Sequence, residues 1–510
     1  MSESSLNKDS KMPGMTLSNI AEACQGRYIG DEKLLSKQIS GAVTDSRQVT
    51  DGYLFIPIKG ERVDGHDFIP QVFAQGALVV LSEKELENPT GPYILVTSST
   101  QAMKDIAAFY RSQIRAKVVG ITGSVGKTST KEMIASVLEE KYSVLKTAGN
   151  FNNEIGLPLT LFRVKDYHDV AVVEMGISDF GEMHRLGAMA RPDISVITNI
   201  GCCHLENLGD RDGVLRAKTE VFEHLNDNAR IILNGDDDKL ATKAHVAIAK
   251  SNTAGLVWDV EKQTDIRKAS GASMDMVADS NCGHKIIDSI YYGLGSASEY
   301  GITKQIYATD VENLGFDGMT ARVHTPKGVF EVHIHIPGEH NVYNALCATA
   351  VGLELGLDLD MIKAGIEKAR TIAGRTNFIK ANDMTIIDDC YNANPASMKT
   401  SLEILSHAKG RQIAVLGDMG ELGSDEAALH YEVGEAVGRY RIHTLFCAGK
   451  LAVNYAKAVK NVNPECDVHY FENRDEMLAE LKAYVRKGDT ILVKASHFME
   501  FTEVVTEISC

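Results

Sequence analysis

The chain has 510 residues, a length that suits about three domains. Its 69 acidic side chains outnumber 53 basic ones and leave a formal net charge of −16. That excludes the broad basic footprint of a nucleic-acid binder but leaves room for a few local cations on a phosphate ligand. With 44% hydrophobic and 24% charged residues, the composition is that of a soluble globular protein.

The stretch 1–13 is polar and has no apolar segment of the kind a secretory leader needs. Apolar runs such as 77–81 are far too short for membrane insertion. The nine cysteines lack metal-ligand spacing, and an odd number in a large chain predicts reduced thiols and a cytoplasmic location. The adjacent Cys202 and Cys203 are expected to be small buried side chains rather than a redox pair.

Up to residue 115 the chain mixes short β-rich runs, such as 53–58, with turns. The run 117–122 is apolar and β-branched, as a buried strand is. A glycine-rich turn and a helical pattern over 127–142 follow it. Strands are then predicted at 170–174, 194–200 and 231–234, with helical stretches between the earlier ones. Such alternation predicts a parallel sheet covered on both faces. The part 255–336 is less regular, and its end, 332–336, alternates as a half-exposed strand does. His333 and His335 would share one solvated face there, a better reading than a metal site. Beyond Pro337-Gly338 a helix is predicted over 341–355, then strands at 385–388, 412–416, 444–447 and 490–493 between helices, a second sheet of Rossmann-like type.

The junction of the strand 117–122 with the following helix carries the chemistry. Gly120, Gly123 and Gly126 let backbone N–H groups turn toward one point, where the helix N-terminus adds its positive end. Lys127 can reach terminal phosphates, and the Thr128 hydroxyl can bind Mg²⁺. Gly123, Ser124, Val125, Gly126, Lys127, Thr128 and Ser129 are therefore the candidate nucleotide cradle. The strict pattern asks for glycine where Ile121 stands, so the loop is a variant. Glu174 ends one predicted strand and His204 follows another, both at the edge of the sheet beside the loop, where a metal near the γ-phosphate would sit. Lys218 lies on a predicted helix, and from its surroundings alone it reads as an exposed lysine paired with Glu220.

Several separated segments together resemble the Mur ligases over nearly the whole chain. They are the loop 120–129; Gly149-Asn150-Phe151-Asn152-Asn153 with Glu154 to Pro158; Thr198-Asn199-Ile200-Gly201 leading to His204; Ala217-Lys218 with Glu220; and Gly338-Glu339-His340-Asn341 with Val342 to Ala345. Asp388-Asp389-Cys390-Tyr391-Asn392-Ala393-Asn394-Pro395 and 416–423 are similar to the member that uses a dipeptide. Thr44-Asp45-Ser46-Arg47 and 64–68 look like its UDP-sugar-binding part. The Asn-Pro-Arg motif of the sibling ligase for a diamino acid is not found.

The resemblance implies an α/β, three-domain Mur ligase architecture. Residues 1–115 would bind the UDP-sugar, with 1–12 a disordered extension. Residues 116–336 would form the central P-loop parallel-sheet ATPase domain, and 337–510 the C-terminal Rossmann-like ligase domain. The implied reaction is ATP-dependent ligation of D-alanyl-D-alanine to UDP-N-acetylmuramoyl-tripeptide through an acyl phosphate, by a monomeric protein of peptidoglycan synthesis. Two Mg²⁺ sites are implied. Thr128 and Glu174 would hold one; His204 and a carbamylated Lys218 would hold the other. Lys127 would neutralise the β- and γ-phosphates, Arg375 would approach the γ-phosphate, Asn341 would face adenine, and Asp389 the ribose. Ser46 would contact the uridine diphosphate, and Asn392 and Asn394 the dipeptide. One departure is Lys494-Ala495-Ser496-His497, where the family carries Lys-Gly-Ser-Arg. The alternatives are a sibling ligase with another amino-acid substrate, folylpolyglutamate synthase included, and a nucleotide-binding protein without catalysis.

Overall fold

The computed structural model describes residues 12–60, 62–226, 228–241, 246–249, 284–287 and 289–509. Residues 1–11 of the expected extension, and 255–283 with 288 of the irregular stretch, lie outside the described residues. Met12, assigned to that extension, is buried, and its N–H donates to Ile39 O at 3.0 Å. A fully apolar side chain at the rim of a core is drawn in, so the ordered chain begins earlier than its polar neighbours suggest.

Three main sheets organise the described residues. The N-terminal one has the spatial order Arg27–Ile29, Tyr93–Leu95, Val79–Ser82, Tyr53–Phe55, Gly41–Val43 and is parallel except at its first pair. In the central sheet Val144–Lys146, Val170–Glu174, Lys117–Thr122, Ile194–Ile197, Arg230–Asn234, Ser289–Leu294 and Ile306–Asn313 run parallel. Met319–Thr325 and Gly328–Ile334 extend it antiparallel, an extension the alternation of the earlier elements does not announce. The expected strand near 332–336 ends at Ile334, so His335 lies beyond it, and His333 Nε2 donates to Asp317 O at 2.9 Å. The third sheet has the order Asn377–Ala381, Met384–Asp388, Thr490–Lys494, Gln412–Gly417, Thr444–Ala448, Asp467–Phe471, antiparallel only at its first pair.

The domain break expected at 337 falls elsewhere. The helices His340–Glu354 and Leu359–Lys368 belong to the core of the central sheet, where Val342, Leu346, Val351, Ile362 and Ile366 pack with Val119, Ile134, Val137 and Ile194. Ser136 Oγ also donates to Gly365 O at 2.7 Å. The physical reason is amphipathy in excess: the helix His340–Glu354 is buried along most of its faces, from Asn344 to Gly352 without a break. It must be covered on both sides, and the central sheet supplies one of them. The C-terminal sheet starts only at Asn377. Among the described residues no helix is long and apolar enough to cross a membrane.

Parallel strands deliver their carboxyl ends to one edge. In the central sheet Glu174 pairs with Ile121 and Ile197 with Thr122, so Glu174 and Thr198 flank the start of the glycine loop. In the third sheet Asp388 pairs with Val493, which sets Asp389 beside Lys494. These two edges face each other.

Candidate active site

The strand Lys117–Thr122 turns through Gly123 to Gly126 into the helix Lys127–Leu138. Gly123 and Gly126 have φ of +147° and +83°, and a Cβ on Gly123 would lie 2.0 Å from Thr198 Oγ1. Side chains larger than hydrogen are therefore excluded at the first of them by contact as well as by conformation. The loop is braced from the next strand. Asn199 O accepts from Ser124 N, Asn199 Oδ1 accepts from Val125 N at 3.0 Å, and Thr198 Oγ1 donates to Val125 O at 2.7 Å. The loop N–H groups used in this way fix the shape that turns the others outward.

Lys127 donates to Gly123 O at 2.8 Å, and burial holds its ammonium below the usual lysine range. Thr128 Oγ1 donates to Glu174 Oε2 at 3.0 Å. Asn152 Nδ2 donates to the other carboxylate oxygen at 2.9 Å. Glu174 is 2% exposed. These are hard oxygen donors within one contact of each other beside a helix N-terminus, the set a Mg²⁺ ion prefers. Arg375 reaches in from the C-terminal side: Nη2 lies 3.4 Å from Thr128 Oγ1, and the guanidinium sits 4.0 Å over the Tyr391 ring. Its Nε is buried without a hydrogen-bond partner among the described residues, a donor left for an anion.

Lys218 is not the exposed lysine that its neighbours in sequence suggest. It is 1% exposed, at the end of the helix Arg211–Thr219. Burial pushes its ammonium down to about 8, with Cys203 opposing the shift and the nearby Lys127 charge adding the smallest part to it. Glu220, its presumed partner, accepts instead from the Gly181 and His184 N–H groups. His204 stands in the left-handed region at φ +52°, with Nδ1 2.7 Å from Oε2 of Glu421, itself at φ +61° on the C-terminal domain.

Three cavities meet here. One of about 390 Å³ is lined by Ser124 to Ser129, Asn199, Tyr343, Asn344, Arg375, Asp389 and Lys494. A second, of about 420 Å³, is lined by Lys127, His204, Tyr391, Asn392, Asn394, Glu421 and His497. A third, of about 1030 Å³, has a basic wall of Lys131, Lys146, Arg163, Lys368 and Arg375 and also touches Thr128 and Tyr391. Lys127 thus stands between the first two cavities, Thr128 and Arg375 between the first and third, and Tyr391 between the last two.

Not every expected residue converges. Ser46 is at the start of the short 3₁₀ turn Ser46–Gln48 in the N-terminal domain and lines none of the three cavities. Asn341 is 2% exposed; its amide donates to Pro337 O and its Oδ1 accepts from Asn344 Nδ2. It does not line the nucleotide-sized cavity itself but contacts two residues that do, His340 and Asn344, the latter also accepting from Thr130. Asp389 accepts from Lys494 Nζ at 2.7 Å, from Ser401 Oγ at 2.5 Å and from Thr376 N at 3.0 Å. Lys494 is 2% exposed and was missed as a site residue; its place at the end of a predicted strand was the available signal. His340, Tyr343, Asn344 and Asn199 were missed too, although all four fall inside the segments that carry the resemblance. Ala495 adopts no positive φ, and its Cβ occupies the space beside Gly417.

Asn394 has a defined local role: its Oδ1 accepts from Ser397 N at 2.9 Å, and Ser397 Oγ accepts from Asn394 N, a capping box on the helix Pro395–Ser406. Asn394→Ala is expected to lower stability by about 1 kcal/mol, read as a shift of the urea midpoint at constant slope, and Asn394→Ser to restore it.

The chain matches family models along most of its length. Residues 38–116 match the Mur ligase family catalytic domain, 121–286 and 276–352 the Mur ligase middle domain, and 374–497 the Mur ligase glutamate ligase domain. A protein of Bacillus subtilis (strain 168) named UDP-N-acetylmuramoyl-tripeptide--D-alanyl-D-alanine ligase is 34% identical over 500 residues, which covers 97% of this chain and 98% of the relative. A crystal structure of MurF from Acinetobacter baumannii superposes with a TM-score of 0.80 at 29% identity, covering 98% and 99% of the two chains. The MurF ligase from Thermotoga maritima, solved in complex with ADP, superposes at 0.71 with 26% identity, over 92% of this chain and 97% of that one.

Proposed function

The chain belongs to the Mur ligase family, and we propose that the three cavities around Lys127 hold the three substrates of one ligation. It is an ATP-dependent ligase that forms a C–N bond, adding D-alanyl-D-alanine to UDP-N-acetylmuramoyl-tripeptide in peptidoglycan synthesis. The observation that carries the assignment of the cavities is that Lys127, Thr128, Arg375 and Tyr391 each wall two of them. A reaction that brings a carboxylate to the γ-phosphorus and then an amine to the resulting acyl carbon needs such a junction.

ATP lies in the cavity along the loop, with its terminal phosphates toward Lys127 and Thr128. Asp389 orients the ribose with what remains of its carboxylate, and Asn341 supports the nucleotide wall through Asn344. The anionic tripeptide occupies the large basic cavity, with its carboxylate toward Arg375. Ser46 holds the uridine diphosphate at the far end of that substrate. The dipeptide enters between His204 and His497, past Asn392 and Asn394. The tripeptide carboxylate attacks the γ-phosphorus, ADP leaves, and an acyl phosphate forms; the dipeptide amine then attacks the acyl carbon and phosphate departs.

Repulsion between carboxylate and γ-phosphate is the obstacle. Lys127 and Arg375 answer it with fixed positive charge that needs no reorganisation at the moment of reaction. Thr128 and Glu174 would hold one Mg²⁺, and His204 with a carbamate on Lys218 a second. When bound, Mg²⁺ supplies charge neutralisation and in-line positioning. Lys218 as an ammonium offers no lone pair, so the second site is complete only with the carbamate. Contacts such as Arg375 with Thr128 and His204 with Glu421 close the C-terminal domain over the loop and keep water from the acyl phosphate. The enzyme works in the cytoplasm, where ATP is at hand.

Phosphate release is expected only when ATP, Mg²⁺, UDP-N-acetylmuramoyl-tripeptide and D-alanyl-D-alanine are all present. A coupled phosphate assay with each component left out in turn checks this. Equal turnover with a lone diamino acid and the dipeptide-length precursor would transfer the assignment to the sibling ligase.

A further inference from the structure

His184 opens a second group of ligand-competent side chains, none of which lines the three cavities. Its Nδ1 lies 2.7 Å from Glu223 Oε2 and 3.1 Å from His224 Nε2, with the two imidazoles edge to face at 4.4 Å. One ligand atom from each residue falls within 4.8 Å of the others. As hydrogen bonding the arrangement is incomplete. A neutral His184 with its proton on Nδ1 must divide it between a carboxylate and an imidazole lone pair. With the proton on its other nitrogen, the Nδ1 lone pair faces the carboxylate.

A divalent cation resolves this by accepting all three lone pairs at one point. Metal–ligand distances of about 2.0–2.2 Å in a tetrahedron put neighbouring ligand atoms about 3.4 Å apart, so the contacts of 2.7 and 3.1 Å at His184 Nδ1 need to open by less than about 1 Å to admit the ion. Two imidazoles and one carboxylate suit a borderline ion such as Zn²⁺ and not the hard Mg²⁺ of the catalytic site. The scaffold is built as well: the Glu220 carboxylate takes the Gly181 and His184 N–H groups at 2.9 and 3.1 Å. That clamps the first turn of the helix Glu182–Ala190 onto the 3₁₀ turn Glu220–His224 and holds His184 opposite its partners.

We infer that His184, Glu223 and His224 form a Zn²⁺-class metal site with water in the open position. The ion ties the helix Glu182–Ala190 to the turn that directly follows Lys218, and so stiffens the segment that carries that catalytic lysine. The test uses the full chain, stripped with chelator and held in excess Mg²⁺ to fill the catalytic sites. Calorimetric titration with Zn²⁺ is expected to show one equivalent bound and a raised Tm. Co²⁺ is expected to give visible d–d bands without a thiolate charge-transfer band, which separates this site from the cysteines. His184 and Glu223 have side chains 51% and 32% exposed, so His184→Asn and Glu223→Gln keep the metal-free Tm of the parent. Each is expected to weaken Zn²⁺ affinity by at least about tenfold. Unchanged affinity in both variants, or no binding by the parent, overturns the site.

Discussion

Lys127→Ala is expected to lower kcat by about 10²–10³ while leaving the melting curve nearly in place, because the lost contact belongs to the transition state. In the ground state the side chain contributes one clear hydrogen bond, to Gly123 O at 2.8 Å. Removing such a bond costs on the order of 1 kcal/mol, whereas an electrostatic contact to charge developing in a water-poor site is worth about 3–4 kcal/mol. The charge matters more than the bond because of where it stands. Lys127 walls both the nucleotide-sized cavity and the one toward His204 and Tyr391, so in the proposed arrangement it would face the γ-phosphate throughout the attack. Lys127→Arg, with the charge kept but a planar fork in place of a compact ammonium, is expected to recover little of the rate. Phosphate release with saturating substrates, run beside thermal melts, checks both. Near-normal kcat with an intact melt would remove the role.

The phosphate loop was legible because glycine spacing between a buried strand and a helix is a local pattern, and Lys117–Thr122 and Lys127–Leu138 form as that pattern dictates. Glu174 was legible for a related reason: parallel topology sends strand ends to one edge. What failed to show was whatever depends on contacts distant in sequence. Glu220 looks like a partner for Lys218 two residues away, but its carboxylate caps a helix at Gly181 and leaves Lys218 to be buried. Pro337-Gly338 looks like a domain break, yet the helix that follows carries apolar residues on nearly every face and so belongs to the core of the preceding sheet. Nothing within that helix says which sheet it will cover. The buried pair of Lys494 and Asp389, 105 residues apart, is invisible for the same reason.

Lys218→Ala is expected to lose turnover by at least about 10², and to regain part of it when acetate is added. The argument starts from burial. At 1% exposure beside another lysine, an ammonium is disfavoured, and a value of about 8 leaves on the order of a tenth of the amine neutral at pH 7. That neutral amine can add to CO₂: the nitrogen–carbon bond forms, the extra proton leaves to solvent, and a carbamate anion remains. The anion is favoured where the ammonium was not, since Lys127 and any bound Mg²⁺ attract it, and it presents hard oxygens to a cation. Truncation to alanine removes the anion and leaves a space that a short carboxylic acid can enter, with its oxygens near where the carbamate had them. Lys218→Met discriminates between lost packing and lost charge. It refills most of the volume without an anion and blocks the acid, so it is expected to keep the Tm of the parent, to be inactive, and to stay inactive in acetate. The parent enzyme should also lose activity in CO₂-depleted buffer and recover it with bicarbonate. If Lys218→Ala turns over like the parent without any acid, or if Lys218→Met is active, the lysine is a packing residue and the carbamate is wrong.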